Sequence, residues 1–148
     1  MNVAVKIKKL DPNAIVPTYA HDTDACFDLC ALTEGEIFPG DRKLIKTGIA
    51  VELPEGYEIQ VRPRSGLAYK QGITVLNAPG TVDCSYCGDV GVILMNTGDR
   101  TFEFNIGDRI AQACVKPVYH AVFELVDELT MTERGEGGFG STGTKSLN

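Results

Sequence analysis

The residue types best suited to chemistry are concentrated near the C-terminus, in a glycine-rich stretch with one arginine, one aromatic residue and two hydroxyls. Residues 134–143 read Arg-Gly-Glu-Gly-Gly-Phe-Gly-Ser-Thr-Gly. Backbone amides without side chains can converge on phosphate oxygens, and Arg134 adds a planar cation that suits phosphate. Phe139 has no core to join, so we interpret it as a stacking surface. The stretch predicts a phosphate-binding lid, although a flexible terminus has the same composition.

A second candidate anion site lies where an alternating strand pattern gives way to a short helical segment, at Arg64, Ser65 and Gly66. Ser65 is a preferred helix N-cap residue. The arginine, the hydroxyl and the free amides at the start of a helix could hold an anion together. Taken alone, however, the segment is more typical of a capped helix with an exposed arginine.

A third candidate region spans residues 77–88, which we predict to be a hairpin between two apolar strands. Gly80 permits close backbone approach, and the backbone groups of an open hairpin could read the edge of a planar base. Asp83 follows the apolar Val82 at the rim of this hairpin. We interpret Asp83 as a turn aspartate or, in a functional site, as a general base.

The cysteines and histidines have spacings that favour neither a metal site nor redox chemistry. Cys84 and Cys87 form a Cys-x-x-Cys, but no second ligand pair with similar spacing accompanies them. Redox motifs of this type normally open a helix, whereas this pair falls in the predicted hairpin. His21 and His120 have no ligand-like neighbours and are predicted to be surface or loop residues.

Short alternating runs are the elements that must position these residues. Strongly apolar residues occupy every second position over 3–8, 57–62 and 101–106, which predicts half-buried strands. The apolar run 90–95 predicts a strand buried on both faces. Glycine-containing turns recur at about ten-residue intervals, which is typical of sandwiches and barrels. Helix has room only near residues 65–70, so we predict an all-β fold with one short helix.

Composition and charge narrow the classes of function. The 148 residues fit one domain, and 14 Lys+Arg against 20 Asp+Glu give a net charge of −6, which argues against binding nucleic acid by bulk electrostatics. No apolar run approaches the ~18–20 residues that span a bilayer, and no signal peptide is evident. We therefore expect no nucleic-acid or membrane partner. The expected compartment is the cytoplasm, or the nucleus or a host-cell compartment for a eukaryotic or viral source.

Five segments, in order, resemble the five motifs of the homotrimeric dUTP pyrophosphatase (dUTPase) family. They are Asp-Ala-Cys-Phe-Asp-Leu at 24–29, Arg-Ser-Gly-Leu-Ala at 64–68, Gly-Thr-Val-Asp-Cys-Ser-Tyr at 80–86, Gly-Asp-Arg-Ile-Ala-Gln at 107–112, and the glycine-rich stretch at 134–143. The resemblance implies a distorted β-barrel or jelly-roll over residues 1–133. It also implies that an arm, residues 134–148, closes over the active site of a neighbouring subunit in a homotrimer.

The resemblance further implies Mg²⁺-dependent hydrolysis of dUTP to dUMP and pyrophosphate, which serves dUMP biosynthesis and keeps uracil out of DNA. Asp83 is expected to be the general base that activates a water for in-line attack on the α-phosphorus. Asp28 is expected to hold Mg²⁺ through a coordinated water.

Substrate contacts are expected from four of the five motifs and from Asn77. The residues expected to hold the phosphates are Arg64, Ser65, Gly66 and Gln112, with Arg134, Gly140 and Ser141 on the terminal phosphate. Those expected around the nucleoside are Asn77, Gly80, Thr81 and Val82 for the uracil edge, Phe139 stacked on the uracil, and Tyr86 beneath the deoxyribose. Alternation along a straight strand puts Arg109 and Gln112 on opposite faces, so Arg109 is predicted to be structural.

The sequence departs from the family pattern at three cysteines. Cys26 stands where the family usually has glycine, which puts the backbone before Asp28 in question, while Cys84 and Cys87 flank Tyr86. Other functions remain open at this point. One is a dCTP deaminase of the same fold, another is a catalytically idle nucleotide-binding regulatory trimer, and a third is a purely structural trimer.

Overall fold

The computed structural model of the chain describes residues 2–141, and its regular structure is almost entirely strand. The strands are β1 (Lys6–Lys9), β2 (Phe27–Cys30), β3 (Gly35–Ile37), β4 (Arg42–Lys46), β5 (Ile49–Glu52), β6 (Tyr57–Arg62), β7 (Ile73–Val75), β8 (Gly80–Val82), β9 (Gly91–Asn96), β10 (Phe102–Phe104) and β11 (Arg109–Pro117). One helix, α1 (Ser65–Gln71), occurs in this part of the chain.

The strands form four antiparallel sheets around one core. The largest has the order β2-β11-β6-β8, a second has the order β4-β9-β7, and β1–β5 and β3–β10 form separate pairs. Over residues 2–141 no sheet closes on itself, so the architecture is a jelly-roll-like arrangement rather than a continuous barrel. The prediction of an all-β distorted barrel or jelly-roll with one short helix is confirmed.

The core follows the period-2 pattern of the sequence. In β6 the buried side chains Ile59 and Val61 alternate with half-buried polar neighbours. In β9 one face is buried and the other is half-buried, so the prediction of burial on both faces is wrong for the single chain. The N-terminal run is also less buried than predicted. Strand β1 pairs only with β5, and all four of its residues are exposed.

Helix α1 begins one residue earlier than predicted, because Ser65 is its first residue and not its cap. The N-cap is Arg64 in an extended conformation, and no side chain caps the helix, so the prediction that Ser65 is the N-cap is wrong. At the other end Gly72 adopts the left-handed conformation with φ 68° and donates its N–H to the carbonyls of Ala68 and Leu67. A Cβ on Gly72 would lie 2.6 Å from the backbone nitrogen of Gly98, so only glycine fits this contact between α1 and the following turn.

The region 77–88 connects two apolar strands that pair antiparallel, as the sequence predicted, but the connection itself contains a further strand. Strand β7 pairs with β9, whereas β8 pairs with β6 in a different sheet. The chain therefore crosses between sheets from Val75 to Gly80, through a cis Ala78–Pro79 peptide. Hydrophobic alternation identifies strands but not their partners, and for this reason the pattern does not indicate the pairing of β8 with β6.

Asn96 is a fully buried polar residue whose amide is completely satisfied. Its Nδ2 donates to the carbonyls of Ile37 (2.9 Å) and Arg100 (2.7 Å), and its Oδ1 accepts from the N–H of Gly98 (2.9 Å). Asn96 thereby joins β3 to the turn after β9.

In residues 2–141 no helix has the length and apolar character needed to cross a bilayer.

Candidate active site

A cavity of about 620 Å³ lies between β2, the start of α1 and the start of β11. We call it the cationic cavity. It brings together five residues that were predicted to hold the phosphates or Mg²⁺, and its lining also includes Arg109, His21, Asp24 and Lys70. The predicted residues in its wall are Asp28, Arg64, Ser65, Gly66 and Gln112.

Asp28 is held between two arginines. Arg64 Nε lies 3.0 Å from Asp28 Oδ1, and Arg109 Nη1 lies 3.1 Å from Asp28 Oδ2. Arg64 Nη1 also donates to the backbone carbonyl of Arg109 at 2.9 Å. The two guanidiniums are therefore fixed relative to each other, and one carboxylate balances only one of their two charges. The remaining positive charge suits a phosphate group, because arginine forks match phosphate geometry.

A β-bulge explains why Arg109 reaches this cavity. Against β2, Arg109 is opposite Cys30 but Ala111 is opposite Leu29, so β11 carries one extra residue between them. Ile110 and Ala111 are consequently both buried, and the alternation of faces shifts by one. The prediction that Arg109 and Gln112 lie on opposite faces assumed a straight strand and is wrong, because a bulge re-aims the residues on one side of it.

Gln112 and the helix face complete the wall of the cationic cavity. The Nε2 of Gln112 donates to the carbonyl of Pro63 at 2.8 Å, which ties β11 to the connection that carries Arg64. A Cβ on Gly66 would contact nothing within 4 Å, so this position leaves the cavity open. Sequence reasoning missed Lys70. Its signal was the spacing, because Lys70 is four residues after Gly66 and lies on the same helical face.

A second cavity, of about 370 Å³, lies beside β8. We call it the β8 cavity, and its walls include five of the predicted residues: Asn77, Thr81, Val82, Asp83 and Tyr86. Gly80 is buried behind it, and a Cβ there would lie 3.2 Å from Asn77 Nδ2 and 3.4 Å from Val61 Cβ. Glycine thus allows the Asn77 amide to lie directly against the β8 backbone.

Asp83 and Tyr86 project from a tight turn at the end of β8. The N–H of Tyr86 donates to the carbonyl of Asp83 at 3.0 Å. Asp83 is exposed, and the Tyr86 hydroxyl donates to the backbone carbonyl of Asp89 at 3.0 Å. A carboxylate and a fixed aromatic ring therefore face the same small cavity.

The cationic cavity and the β8 cavity share no lining residue. Strands β2 and β8 are the two edges of one four-stranded sheet, which separates them by about 14 Å at ~4.8 Å per strand. By the pairing register, Asp83 is also four residues further along the sheet than Asp28, or about 13 Å at ~3.3 Å per residue. One chain therefore keeps Asp83 well away from the arginines.

The described part of the C-terminal arm lines neither cavity. Arg134 Nε donates to the carbonyl of Gly137 at 2.7 Å, and the N–H of Gly137 donates to the carbonyl of Arg134 at 3.0 Å. Phe139 is fully exposed with φ 51°, and Gly140 has φ 88°. The single chain does not bring Arg134, Phe139, Gly140 or Ser141 together with the other predicted residues. The remainder of this motif and of the arm, 142–148, lies outside the described residues.

All five cysteines are free thiols, and Cys87 is exposed. Burial raises the pKa of Cys26, and the neighbouring Cys114 thiol raises it further. Burial also raises the pKa of Cys30, with a smaller contribution from Asp28. In residues 2–141 no three His, Cys, Asp or Glu side chains are grouped so that they could hold a metal ion.

Both histidines lie where the sequence predicted them. His21 is exposed in the loop before β2, and His120 is exposed just after β11. His21 nevertheless contributes to the wall of the cationic cavity. The sequence around His21 does not indicate this position, which depends on how the loop folds back towards α1.

Known proteins match the chain over almost its whole length. The family model described as dUTPase matches residues 12–143. The chain is 53% identical over 140 residues to the deoxyuridine 5'-triphosphate nucleotidohydrolase of Picosynechococcus sp., covering 95% of this chain and 99% of that protein. It is 53% identical over 139 residues to the enzyme of the same name from Clostridioides difficile, covering 94% and 97%.

A solved structure has the same fold. A mutant dUTPase of Staphylococcus bacteriophage 80alpha, bound to dUpNHpp, superposes with a TM-score of 0.88 at 27% identity, over 95% of this chain and 99% of that one. The family model, the relatives and the fold agree with the five motifs and with the two cavities, which the first four motifs line. The chain therefore belongs to the dUTPase family.

Proposed function

We propose that the chain hydrolyses dUTP to dUMP and pyrophosphate in active sites that neighbouring chains of a homotrimer build together. The observation that carries the proposal is the pair of cavities. One holds an arginine-rich anion site and the other holds a carboxylate beside a nucleoside-sized pocket, yet they share no residue in one chain. A second chain that brings its β8 cavity to the cationic cavity completes the site. Bacterial relatives support action in the cytoplasm.

The chemical step needs one base and a fixed phosphate chain. The Asp83 carboxylate accepts a proton from a water whose oxygen attacks the α-phosphorus. The bond from that phosphorus to the oxygen that bridges to the β-phosphate breaks, and pyrophosphate leaves. Arg64 and Arg109 hold the phosphates in the cationic cavity, with the Ser65 hydroxyl, the Gly66 backbone and the Gln112 amide, so that the water, the α-phosphorus and the leaving oxygen are in line.

The cationic cavity fits Mg²⁺ only as an ion that arrives with the triphosphate. Asp28 is the carboxylate at its centre, and its two oxygens already face Arg64 and Arg109. Mg²⁺ usually keeps several waters and takes one or two carboxylates together with substrate phosphates, which matches this donor set. When bound, the ion neutralises phosphate charge. A mutant dUTPase of phage phi11, similar to this chain with a TM-score of 0.79 and 25% identity, coordinates a structural Mg(II) ion.

Recognition of the nucleoside is assigned to the β8 cavity. Asn77 and the backbone from Gly80 through Thr81 to Val82 line the position proposed for the uracil edge, and Tyr86 lines the position proposed for the deoxyribose. Cytosine has an amino donor where uracil has a carbonyl acceptor, so it would leave a buried donor of the pocket without a partner. An unpaired buried polar group costs about 1–3 kcal/mol of binding free energy.

The arm is proposed to close the site from a neighbouring chain. Phe139 is fully exposed and has no packing partner among the described residues, and a stacked uracil would cover it. Arg134, Gly140 and Ser141 would then reach the terminal phosphate.

Exposed apolar residues after β11 support assembly. Each of six such side chains is at least 84% exposed: Tyr119, Val122, Phe123, Leu125, Leu129 and Met131. A monomer rarely leaves such a run uncovered. A neighbouring chain that covers this run would also bring the following arm towards its own site. The number three comes from the resemblance to trimeric dUTPases.

A substrate panel tests the proposed function. Purified protein with Mg²⁺ is given dUTP, dCTP, dTTP and UTP in turn, and pyrophosphate and ammonia are measured. We expect pyrophosphate from dUTP and much less from the other three. Comparable turnover of all four contradicts the proposal, ammonia from dCTP indicates a deaminase, and nucleotide binding without product indicates a regulatory protein.

A further inference from the structure

Tyr86 is fixed by contacts that the proposed reaction does not itself explain. Its hydroxyl donates to the backbone carbonyl of Asp89 at 3.0 Å, so the donor is committed to the protein rather than to a ligand. A Cβ on Gly88 would lie 2.5 Å from Tyr86 Oη, 2.7 Å from Cζ and 3.1 Å from Cε2. The backbone of residues 88–89 therefore packs directly against one edge of the phenol ring.

Space, not backbone conformation, requires the glycine at position 88. Its φ is outside the left-handed region, so an alanine would meet no backbone strain there. The distances to Oη and Cζ are shorter than real Cβ contacts, and both atoms belong to a side chain that is also held by its hydroxyl. A methyl group at this position would have to displace Tyr86.

Asp89 is in turn anchored to the connection between β4 and β5. Its Oδ1 accepts from the N–H of Gly48 at 3.0 Å and of Thr47 at 3.3 Å. The buried Thr47 hydroxyl donates to the carbonyl of Val90 at 2.7 Å, and the N–H of Val90 donates to the carbonyl of Ile49 at 2.9 Å. These four bonds fix the segment that carries the carbonyl acceptor for Tyr86.

We propose that Gly88 and Asp89 are positioning residues that set the discrimination between deoxyribose and ribose, by holding the Tyr86 ring at a fixed depth in the β8 cavity. The inference rests on the proposed placement of the sugar against Tyr86. Because the hydroxyl is already bonded to Asp89, the ring excludes a 2′-hydroxyl by occupying space. If the Tyr86 ring could move away from the sugar, the cavity would accommodate the 2′-hydroxyl of ribose. Discrimination by packing depends on rigidity, since a pocket that relaxes loses its penalty against the larger ligand.

The test compares the dUTP-to-UTP ratio of kcat/KM in Gly88→Ala, Asp89→Ala and Asp89→Asn with that of the wild type. We expect Gly88→Ala to lower the ratio by about tenfold or more, mainly through KM, because the displaced ring alters ground-state fit. Asp89→Ala is expected to lower the ratio and Asp89→Asn to restore most of it, because the amide oxygen still accepts from Thr47 and Gly48.

Cys87→Ala is the matched control. It changes the adjacent exposed residue in the same loop, whose thiol points to the carbonyl of Ser85 and not to the phenol. We expect a wild-type ratio. If Gly88→Ala does not fold, Tyr86→Phe tests the inference separately, because it keeps the ring and removes only the bond to Asp89. It should also lower the ratio.

The outcomes separate this inference from the proposed function. If the wild type releases pyrophosphate from dUTP and hydrolyses UTP much more slowly, the proposed function is supported. If the folded variants then keep the wild-type ratio, the positioning role is wrong and the proposed function stands. If the wild type hydrolyses neither nucleotide, the proposed function is wrong. The ratio of dissociation constants for dUTP and UTP, measured on the same variants, still decides the positioning role.

Discussion

Asp28 forms ion pairs with both Arg109 and Arg64, at 3.1 Å and 3.0 Å, and so links β2, β11 and the start of α1. The pairs are only partly buried, and their direct contribution to stability is small, since surface ion pairs contribute about 0–1 kcal/mol. Their larger effect is orientation. Two guanidiniums that are held by one carboxylate present their remaining N–H groups to the cavity, where the triphosphate is proposed to bind.

The first prediction concerns the charge on Asp28. Asp28→Asn should lower kcat/KM for dUTP by about 10- to 100-fold and raise the Mg²⁺ concentration needed for half-maximal rate, because the carboxylate that is proposed to hold Mg²⁺ through water, and that anchors two arginines, is lost. The measurement is pyrophosphate release across a Mg²⁺ titration. Asp99→Asn, in an exposed turn after β9, makes the same change in net charge and should behave as the wild type. An unchanged Mg²⁺ requirement in Asp28→Asn would exclude this role.

The sequence predicted five of the residues that line the cationic cavity, but it did not predict all of them. Period-2 patterns placed β6 and β10 correctly, because alternation reports burial directly. Arg109 was missed because one extra residue in β11 reverses the faces, and no single residue in Arg109–Gln112 marks a bulge. The pairing of β8 with β6 was missed for a related reason, since partner choice depends on the whole core and not on local pattern.

A second prediction concerns Asp83 as the base. Asp83→Asn should lower kcat for dUTP by about 10²–10⁴-fold, because the amide cannot accept the proton of the attacking water. Binding of dUpNHpp should change little, since the side chain keeps its size. Turnover and calorimetric binding are measured on the same preparation. Turnover close to that of the wild type would place the base elsewhere.

A third prediction concerns the buried amide of Asn96. Asn96→Ala should lower the free energy of unfolding by about 3 kcal/mol, because the carbonyls of Ile37 and Arg100 and the N–H of Gly98 lose their partner in a buried site. Denaturant unfolding at a fixed protein concentration measures the change. Asn105→Ala, at an exposed position, is the control and should cost much less. Equal losses for the two variants would contradict the role of the buried bonds.

A fourth prediction concerns the thiols. The pKa of Cys26 is raised by burial and by Cys114, so its thiolate fraction at a given pH is lower than that of an ordinary thiol. Alkylation by iodoacetamide at pH 8 should modify the exposed Cys87 well before Cys26, and labelling of Cys26 should rise only above its ordinary pKa of 9.0. Mass spectrometry of timed digests gives the order of labelling, and labelling of Cys26 before Cys87 would contradict the prediction.

The raised pKa of Cys26 also affects stability. Since the folded state disfavours the Cys26 thiolate, the free energy of unfolding should fall as pH rises through that range.

The last prediction tests whether one site draws on two chains. Arg64→Ala disables the cationic cavity, and Asp83→Asn disables the β8 cavity. Each homotrimer should be nearly inactive. In a trimer that contains both chains, one of the three subunit boundaries joins the intact cavity of one chain to the intact cavity of the other, so mixed trimers should show about a third of the wild-type activity. The measurement is pyrophosphate release after co-expression with two affinity tags and sequential purification. A mixture of Arg64→Ala and Asp28→Asn, both defective in the same cavity, is the control and should restore nothing. If mixed trimers of the first pair form and stay inactive, the two cavities do not meet across a subunit boundary.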